Sequence, residues 1–338
     1  MRSEANEGGD GGPGPRSGHP RFTGAASRLV PVADGELPGA LDDLFAHHLE
    51  LDFFGDRFDG MRRLTDGESE FEVQLVPNRT STPIARKAHD VCALCDPPDP
   101  RERGLDWRGY TVWPNAYPYV TADRQQVVIA TRAHVGQGFS SELLADMIAY
   151  QREATRDEPL TLHYNGIAGN TQFHLHWQAS RGSVPLERRL DSGELAHRPL
   201  HDGPDGAVLA FDQSFYAGLV VTGRDPYVLA WSTVIMRELD RDPLTRAAYN
   251  LLLLGPGPRG ARLAVIPRRH ACLKPRLSNG AHVVFGAYSM AGVMVVPLPS
   301  VPTGFYAEVL AAARTTVVRP SELAWLSPDG LAALAPGR

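Results

Sequence analysis

Cysteine is scarce. Three residues in 338, two of them three positions apart, are too few for a disulfide framework and fit a reducing compartment. No apolar run is long enough to span a bilayer, and the opening residues lack the apolar core of a signal peptide. A cytoplasmic protein with no membrane partner is the expectation. The formal net charge is only −5, which argues against broad, charge-driven nucleic-acid binding but leaves room for a local basic pocket. No Gly-x-Ser-x-Gly elbow and no His-Glu-x-x-His occurs, so serine hydrolysis and zinc-protease chemistry find no support. The early run "GGDGGPGP" is no phosphate loop either, because no strand pattern precedes it and no helix pattern follows.

What is present is ordinary for a globular chain: 43% hydrophobic and 22% charged residues, enough for one large domain or two of usual size. Residues 1–27 are Gly/Pro-rich and aperiodic and are expected to form a disordered tail. The first compact pattern spans 28–200. "GESEFEVQLVPNR" alternates apolar and polar residues and reads as a strand running into a turn; "GYTVWPNAYPYVT" and "QQVVIATRAH" are β-rich. "SSELLADMIAYQREATR" spaces Leu143, Leu144, Met147, Ile148 and Gln151 as one helix face, with serines placed to cap it. "PLTLHYNG" and "TQFHLHWQAS" form a strand pair joined by a glycine-bearing loop. Residues 185–204, charged and punctuated by Pro and Gly, read as a linker or surface excursion.

A second pattern spans 201–338. "AVLAFDQSFYAGLVVTG" is β-like and "YVLAWSTVIMRELDRD" helix-like, followed by the β-rich runs "AAYNLLLLGPG", "RGARLAVIPRRHACLKP" and "MAGVMVVPLP". "QQVVIATRAH" in the first half rhymes with "ARLAVIPRRH" in the second, suggesting two related β-rich halves in one architecture.

The chemistry concentrates in "NGIAGNTQFHLHWQ", residues 165–178. On a strand, His174, His176 and Gln178 share one face, while Phe173, Leu175 and Trp177 share the other and can pack on a core. An amphipathic strand with a solvated polar face would read the same way. Three features favour a site. Asn165, Gly166, Gly169, Asn170 and Thr171 supply a loop whose amides and small polar groups suit phosphate oxygens. Cys92 and Cys95 have the Cys-x-x-Cys spacing that chelates zinc, and His134 ends a β-rich run. Cys92, Cys95, His134 and His174 would complete a closed Cys₂His₂ tetrahedron, the donor set of structural zinc. Two buried thiols near a turn is the plainer alternative for the cysteine pair. Cys272 reads as a small core or surface residue, and His163 as a strand residue facing solvent. His270, with Arg268, Arg269 and Lys274, is either a phosphate contact or a solvated basic turn. His47 and His48 lie in a helix-like stretch with no assigned role.

These motifs, in this order ("CALC", "VVIATRAH", "NGIAGNT", "HLHWQ"), resemble the HIT superfamily, and within it the galactose-1-phosphate uridylyltransferases and the nucleotide-sugar or dinucleoside-polyphosphate phosphorylases. The likeness covers roughly residues 70–300; the second half resembles that of uncharacterised or GDP-hexose-phosphorylase-like members. Leu175 and Trp177 replace the two prolines of the galactose enzyme's motif, a form closer to the phosphorylases.

The resemblance implies an α+β fold of two HIT-like halves, antiparallel sheets with flanking helices. One active site would lie in the first half, with the second half shaping its pocket. His176 would be the nucleophile, forming a covalent nucleotidyl-histidine, and Gln178 would orient the nucleotidyl phosphate. Hydrolases of the superfamily carry histidine at that last position, so glutamine favours transfer to phosphate or a sugar phosphate over transfer to water. Asn165, Gly169, Asn170 and Thr171 would cradle phosphates; Asn115 and Tyr117 fall where the family contacts the nucleoside; Arg79 is a further phosphate candidate. The expected donor is a nucleoside diphosphate-sugar or a dinucleoside polyphosphate, the expected metal a structural zinc, and a homodimer is allowed. A HIT-type hydrolase and a non-catalytic, zinc-stabilised nucleotide-binding module are the alternatives.

Overall fold

The computed structural model describes residues 28–65, 70–78, 92–95, 97, 99–169, 172–213, 215–270 and 285–336. The expectations for the 1–27 tail, Arg79, Asn170, Thr171, Cys272 and Lys274 lie outside the described residues. The chain enters through β1 (Leu29–Pro31), α1 (Leu37–Glu50), β2 (Arg62–Leu64) and β3 (Glu72–Leu75). A run follows of β4 (Gly104–Trp107), β5 (Tyr110–Pro114), β6 (Val127–Thr131), α2 (Ser141–Ala154), β7 (Leu160–Tyr164), the helical turn α3 (Gly166–Gly169) and β8 (His176–Arg181). After α4 (Pro185–Ser192) comes a second run: β9 (His197–Gly203), β10 (Gly206–Gln213), β11 (Tyr216–Gly223), α5 (Asp225–Arg241), β12 (Tyr249–Gly257) and β13 (Gly260–Pro267). The last elements are α6 (Ala287–Met290), β14 (Val293–Val296), α7 (Phe305–Thr316) and α8 (Pro328–Leu334).

Eleven strands form one sheet in the order β1-β4-β5-β6-β8-β7-β12-β13-β11-β10-β9, antiparallel except for the edge pair β1–β4. The order repeats about its middle. Strands β4-β5-β6-β8-β7 and β9-β10-β11-β13-β12 have the same connectivity, each with one helix between its third and fourth strands, and they meet where β7 pairs β12. His163 faces Leu252 at that junction. Counted outward through His163↔Gln178 and Leu252↔Ala264, Gln178 corresponds to Ala264 and His176 to Arg262. The outer pairs Ala130↔His176 and Thr222↔Arg262 agree. By the same count β6 corresponds to β11, so the rhyme between "QQVVIATRAH" and "ARLAVIPRRH" does not mark equivalent strands. Both runs are buried strands ending in basic residues, and burial alone makes such runs alike.

One face of the sheet is covered by helices. Leu37, Leu41, Leu44 and Phe45 of α1, Leu143, Leu144, Met147 and Ile148 of α2, and Val228, Trp231, Ile235 and Leu239 of α5 pack on Trp177, Leu162, Leu251, Leu253 and Leu263. The capping serine is Ser140, whose side chain accepts from the Leu143 amide. Gln151, the polar member of the α2 stripe, is buried because its Nε2 donates to carbonyls of both halves, Leu160 at 2.6 Å and Leu254 at 2.9 Å. On the other face a three-stranded sheet, β14-β3-β2, packs with α6 and α7 on Leu252, Leu254, Ala264 and Ile266. This second cover joins segments from early and late in the chain, with β14 parallel to β3.

Residues 185–204 are not a linker. They form α4 and β9, and Leu186 and Glu187 are buried because Glu187 pairs with the buried Arg262 at 2.9 Å. Most of the charged residues here are exposed, as a surface excursion would have them, and Glu187 is the buried one, satisfying a charge inside the protein. No helix among the described residues is long and apolar enough to cross a membrane.

Candidate active site

Strand β8 begins only at His176, so the strand alternation does not extend back over the whole motif. Trp177 is buried as expected, but Phe173 lies in the preceding loop and is 71% exposed. His174, also before the strand, is buried, and so is His176. The polar face is therefore not an open one.

Cys92, Cys95, His134 and His174 converge, their ligand atoms all within 4.8 Å of one another. Cys92 Sγ lies 3.5 Å and Cys95 Sγ 3.4 Å from His174 Nδ1, and Cys95 Sγ is 3.2 Å from His134 Nδ1. With metal–sulfur bonds near 2.3 Å and metal–nitrogen bonds near 2.0 Å, tetrahedral edges come to about 3.5 Å, so the spacing fits zinc. The tautomer fits as well. His174 Nε2 donates to the Thr131 carbonyl at 2.7 Å, which leaves Nδ1 bare toward the thiols. The Cys95 thiol beside it pulls the Cys92 pKa down to about 3 against the effect of burial, as a thiolate ligand requires.

His176 follows directly. Its Nδ1 donates to the His174 carbonyl at 2.6 Å, so Nε2 carries the lone pair. Burial holds its pKa below the ordinary imidazole value, with that hydrogen bond opposing, which keeps the ring neutral. Gln137, which sequence reading passed over, donates to the same carbonyl at 2.6 Å and to the Gln172 carbonyl at 3.1 Å. A glutamine in a loop carries no sequence signal for this role.

Gln178 shares the His176 face two residues on, and its Oε1 is met by Asn115, Gln126 and Tyr119. Asn115, expected near a nucleoside, turns its amide to Gln178, while the Tyr117 ring lies 5.2 Å from the Arg57 guanidinium. His163 is no solvent-facing strand residue. It is 1% exposed, lies beneath the second cover, and its Nε2 bonds the Tyr119 hydroxyl.

The loop before β8 is anchored by the second half. Asn165 Oδ1 accepts from the Ala287 amide at 2.7 Å, and its carbonyl accepts from Asn250 Nδ2 at 3.0 Å. Gly166 has φ +52°, and a Cβ there would stand 2.9 Å from the Tyr249 carbonyl oxygen. A Cβ on Gly169 would stand 2.9 Å from Gly286 Cα, so this loop lies backbone to backbone on the 285–286 segment. Arg268, one of the basic residues read near His270, is fully buried: its guanidinium donates to Asn250 Oδ1 and the Phe285 carbonyl, both at 2.5 Å. Arg269 pairs with Glu322 at 2.6 Å and His270 is exposed, so these three residues do not gather on one ligand.

Among the described residues the second half sets no histidine at the place that corresponds to His176. At the position of His176 stands Arg262, held by Glu187, Asp191 and the Gly255 carbonyl. A cavity of about 340 Å³ opens between β9 and β10 and one of about 250 Å³ between the end of β9 and α5, and neither is lined by any of the site residues.

No protein-family model matches the chain, and no curated protein matches it. Among solved structures it is similar to yeast Ap4A phosphorylase Apa2 in complex with AMP, with a TM-score of 0.56 and 15% identity over 83% of this chain and 95% of that one. A DUF4931 family protein from Bacillus cereus aligns at a TM-score of 0.38 and 16% identity over 62% of this chain and 97% of that one, too low to argue from. The α+β fold implied by the resemblance, large and mainly antiparallel with flanking helices, is the fold found, and it is shared with this Ap4A phosphorylase.

Proposed function

We propose that the protein is a nucleotidyltransferase of the phosphorylase type, working through His176. The observation that carries this reading is the bond from His176 Nδ1 to the His174 carbonyl, which leaves a neutral imidazole with its Nε2 lone pair free to attack. Nε2 would attack the α-phosphorus of a nucleoside diphosphate-sugar or a dinucleoside polyphosphate. A P–N bond forms, the P–O bond to the rest of the donor breaks, and its electron pair leaves on that oxygen. An oxygen of phosphate or of a sugar phosphate then attacks the same phosphorus, and the P–N electrons return to Nε2. Gln178 and the Asn165–Gly169 loop would hold the nucleotidyl phosphate, with Asn170, Thr171 and Arg79 as further candidates. Cys92, Cys95, His134 and His174 would hold zinc, whose contribution is to fix the backbone of this corner when bound.

The two repeats support a division in which the first half carries the chemistry and the second shapes the pocket, since Asn250 and Ala287 brace the loop while Arg262 fills the second copy of the nucleophile position. The fold of an Ap4A phosphorylase supports the dinucleoside-polyphosphate donor; the sequence motifs support the sugar nucleotide. Intact-mass measurement at non-acidic pH, after mixing with a panel of both donors without phosphate, tests the reading. A gain of one nucleoside monophosphate, absent in His176→Ala, is expected and names the base. No gain from any donor, with nucleotide still bound, would instead mark a binding module. Rapid decay of the adduct in water without phosphate would mark a hydrolase.

A further inference from the structure

Gln178 Oε1 has donors on three sides. Asn115 Nδ2 lies 3.3 Å away, Gln126 Nε2 3.1 Å and the Tyr119 hydroxyl 2.9 Å. Which end of a side-chain amide is oxygen follows from its hydrogen-bond partners, and here those partners are themselves fixed. A backbone N–H can only donate. The Tyr117 amide donates to Asn115 Oδ1 at 3.0 Å, so Asn115 must turn its NH₂ toward Gln178. The Tyr119 amide donates to Gln126 Oε1 at 3.0 Å, so Gln126 must do the same. Two separate backbone groups therefore force the Gln178 oxygen inward. The Tyr119 hydroxyl has one proton. Facing an oxygen, it gives that proton to Gln178 and takes one from His163 Nε2. His163 is then the neutral Nε2–H tautomer, its buried Nδ1 without a hydrogen-bond partner among the described residues.

We propose that Asn115, Gln126 and Tyr119 are positioning residues that lock Gln178 in one of its two amide orientations, so that it meets a ligand only as a hydrogen-bond donor. This rests on the nucleotidyl-transfer reading and deepens it. The Nε2 turned away from the lock suits an ionised phosphoryl oxygen and cannot take a proton from an attacking group. The acceptor has to arrive with its attacking oxygen already ionised, as inorganic phosphate or a phosphate monoester does near neutrality. Water does not.

Two substitutions of opposite sign test the lock by unfolding the full chain between pH 4 and 7. In Gln178→Glu an ionised carboxylate oxygen would receive all three donors. Its folded pKa would fall below the unfolded value of about 4.3, so the stability it adds is present above that value and lost as pH drops through the folded one. The difference in Tm from the parent protein should rise by several degrees from pH 4 to 7. In Gln126→Glu one carboxylate oxygen would keep the Tyr119 amide and the other would face Gln178 Oε1, so the difference should fall over the same range. His163, behind Tyr119, and His176, on the same strand, are the neighbouring titratable groups that a new carboxylate would shift, so the parent and both variants carry His163→Gln and His176→Gln, which removes their titration from the comparison. Reversed signs, or flat differences in both variants, would overturn the lock; should one variant not fold, the sign of the other decides. Neither measurement uses a substrate, so the lock and the transfer reading stand or fall separately.

Discussion

The Nδ1 of His176 lies 2.6 Å from the carbonyl oxygen of His174, and the side chain of that same His174 faces both cysteines. One residue thus belongs to the candidate metal cluster through its ring and to the candidate nucleophile through its backbone. The tautomer of His176 depends on a carbonyl whose position the cluster fixes.

Removing the metal should therefore slow the chemistry without touching His176. The protein as isolated is expected to hold about one equivalent of zinc by elemental analysis, and Cys95→Ser to hold much less and unfold at lower temperature. Formation of the nucleotidyl adduct should slow by about 10- to 100-fold in the variant. A folded, zinc-free variant that forms adduct at the parent rate would break the link.

Gln137 makes a second, metal-independent support for the same carbonyl. Gln137→Leu removes the bond to this carbonyl along with that to the Gln172 carbonyl, and the first is a loss of about 1 kcal/mol in positioning and so several-fold in adduct formation. Zinc content should stay unchanged, which separates this effect from that of Cys95→Ser.

Burial pushes His163 down to about 3, and its neutrality has a measurable consequence. In the unfolded chain it titrates near 6.5, so from there down to about 3 the unfolded state binds the extra proton. Stability from neutral His163 is fully present above about 6.5 and is lost as pH falls, by at most about 1.4 kcal/mol per pH unit. His163→Gln can still donate to Tyr119 and should show a shallower loss of Tm between pH 6.5 and 4. An identical pH profile would place the acid sensitivity elsewhere.

Arg262 and Glu187 form a buried pair at 2.9 Å, with burial raising the Glu187 pKa and Arg262 opposing. Glu187→Ala leaves a buried guanidinium with the Gly255 carbonyl and, as its one remaining carboxylate, the exposed Asp191, and should cost about 3 kcal/mol in denaturant unfolding. Replacing both partners, Glu187→Leu with Arg262→Met, should recover most of that loss. A double variant as unstable as the single one would assign the cost to packing.

The cluster of Cys92, Cys95, His134 and His174 was legible because a Cys-x-x-Cys and two histidines after β-rich runs form a set suited to chelation. The helix over 141–154 was legible because its apolar spacing agrees with burial on one face. His163 was not, since a histidine in an alternating strand reads as solvent-facing unless the other face is known to be covered. Its cover is β3, β14 and α6, elements far apart in sequence that meet only in the folded chain. Gln137, Gln126 and Asn250 escaped for a related reason: an amide in a loop or strand has no pattern, and its meaning lies wholly in what it faces. Within 185–204 Glu187 was not legible as buried, because charge signals solvent only when no buried opposite charge awaits it.

The sequence by itself determined the local chemistry: which residues can ligate a metal, which imidazole follows which, where glycines let the backbone come close, and which stretches bury one face. These are set by residue type and by periods of two and 3.6 along a short stretch of chain. The tertiary structure decided the rest. It paired β7 with β12 to make one sheet of two repeats, set Arg262 at the place that corresponds to His176, and turned the amides of Asn115 and Gln126 onto Gln178. Those outcomes depend on contacts between residues distant in sequence, whose geometry is fixed only once both faces of the sheet are covered.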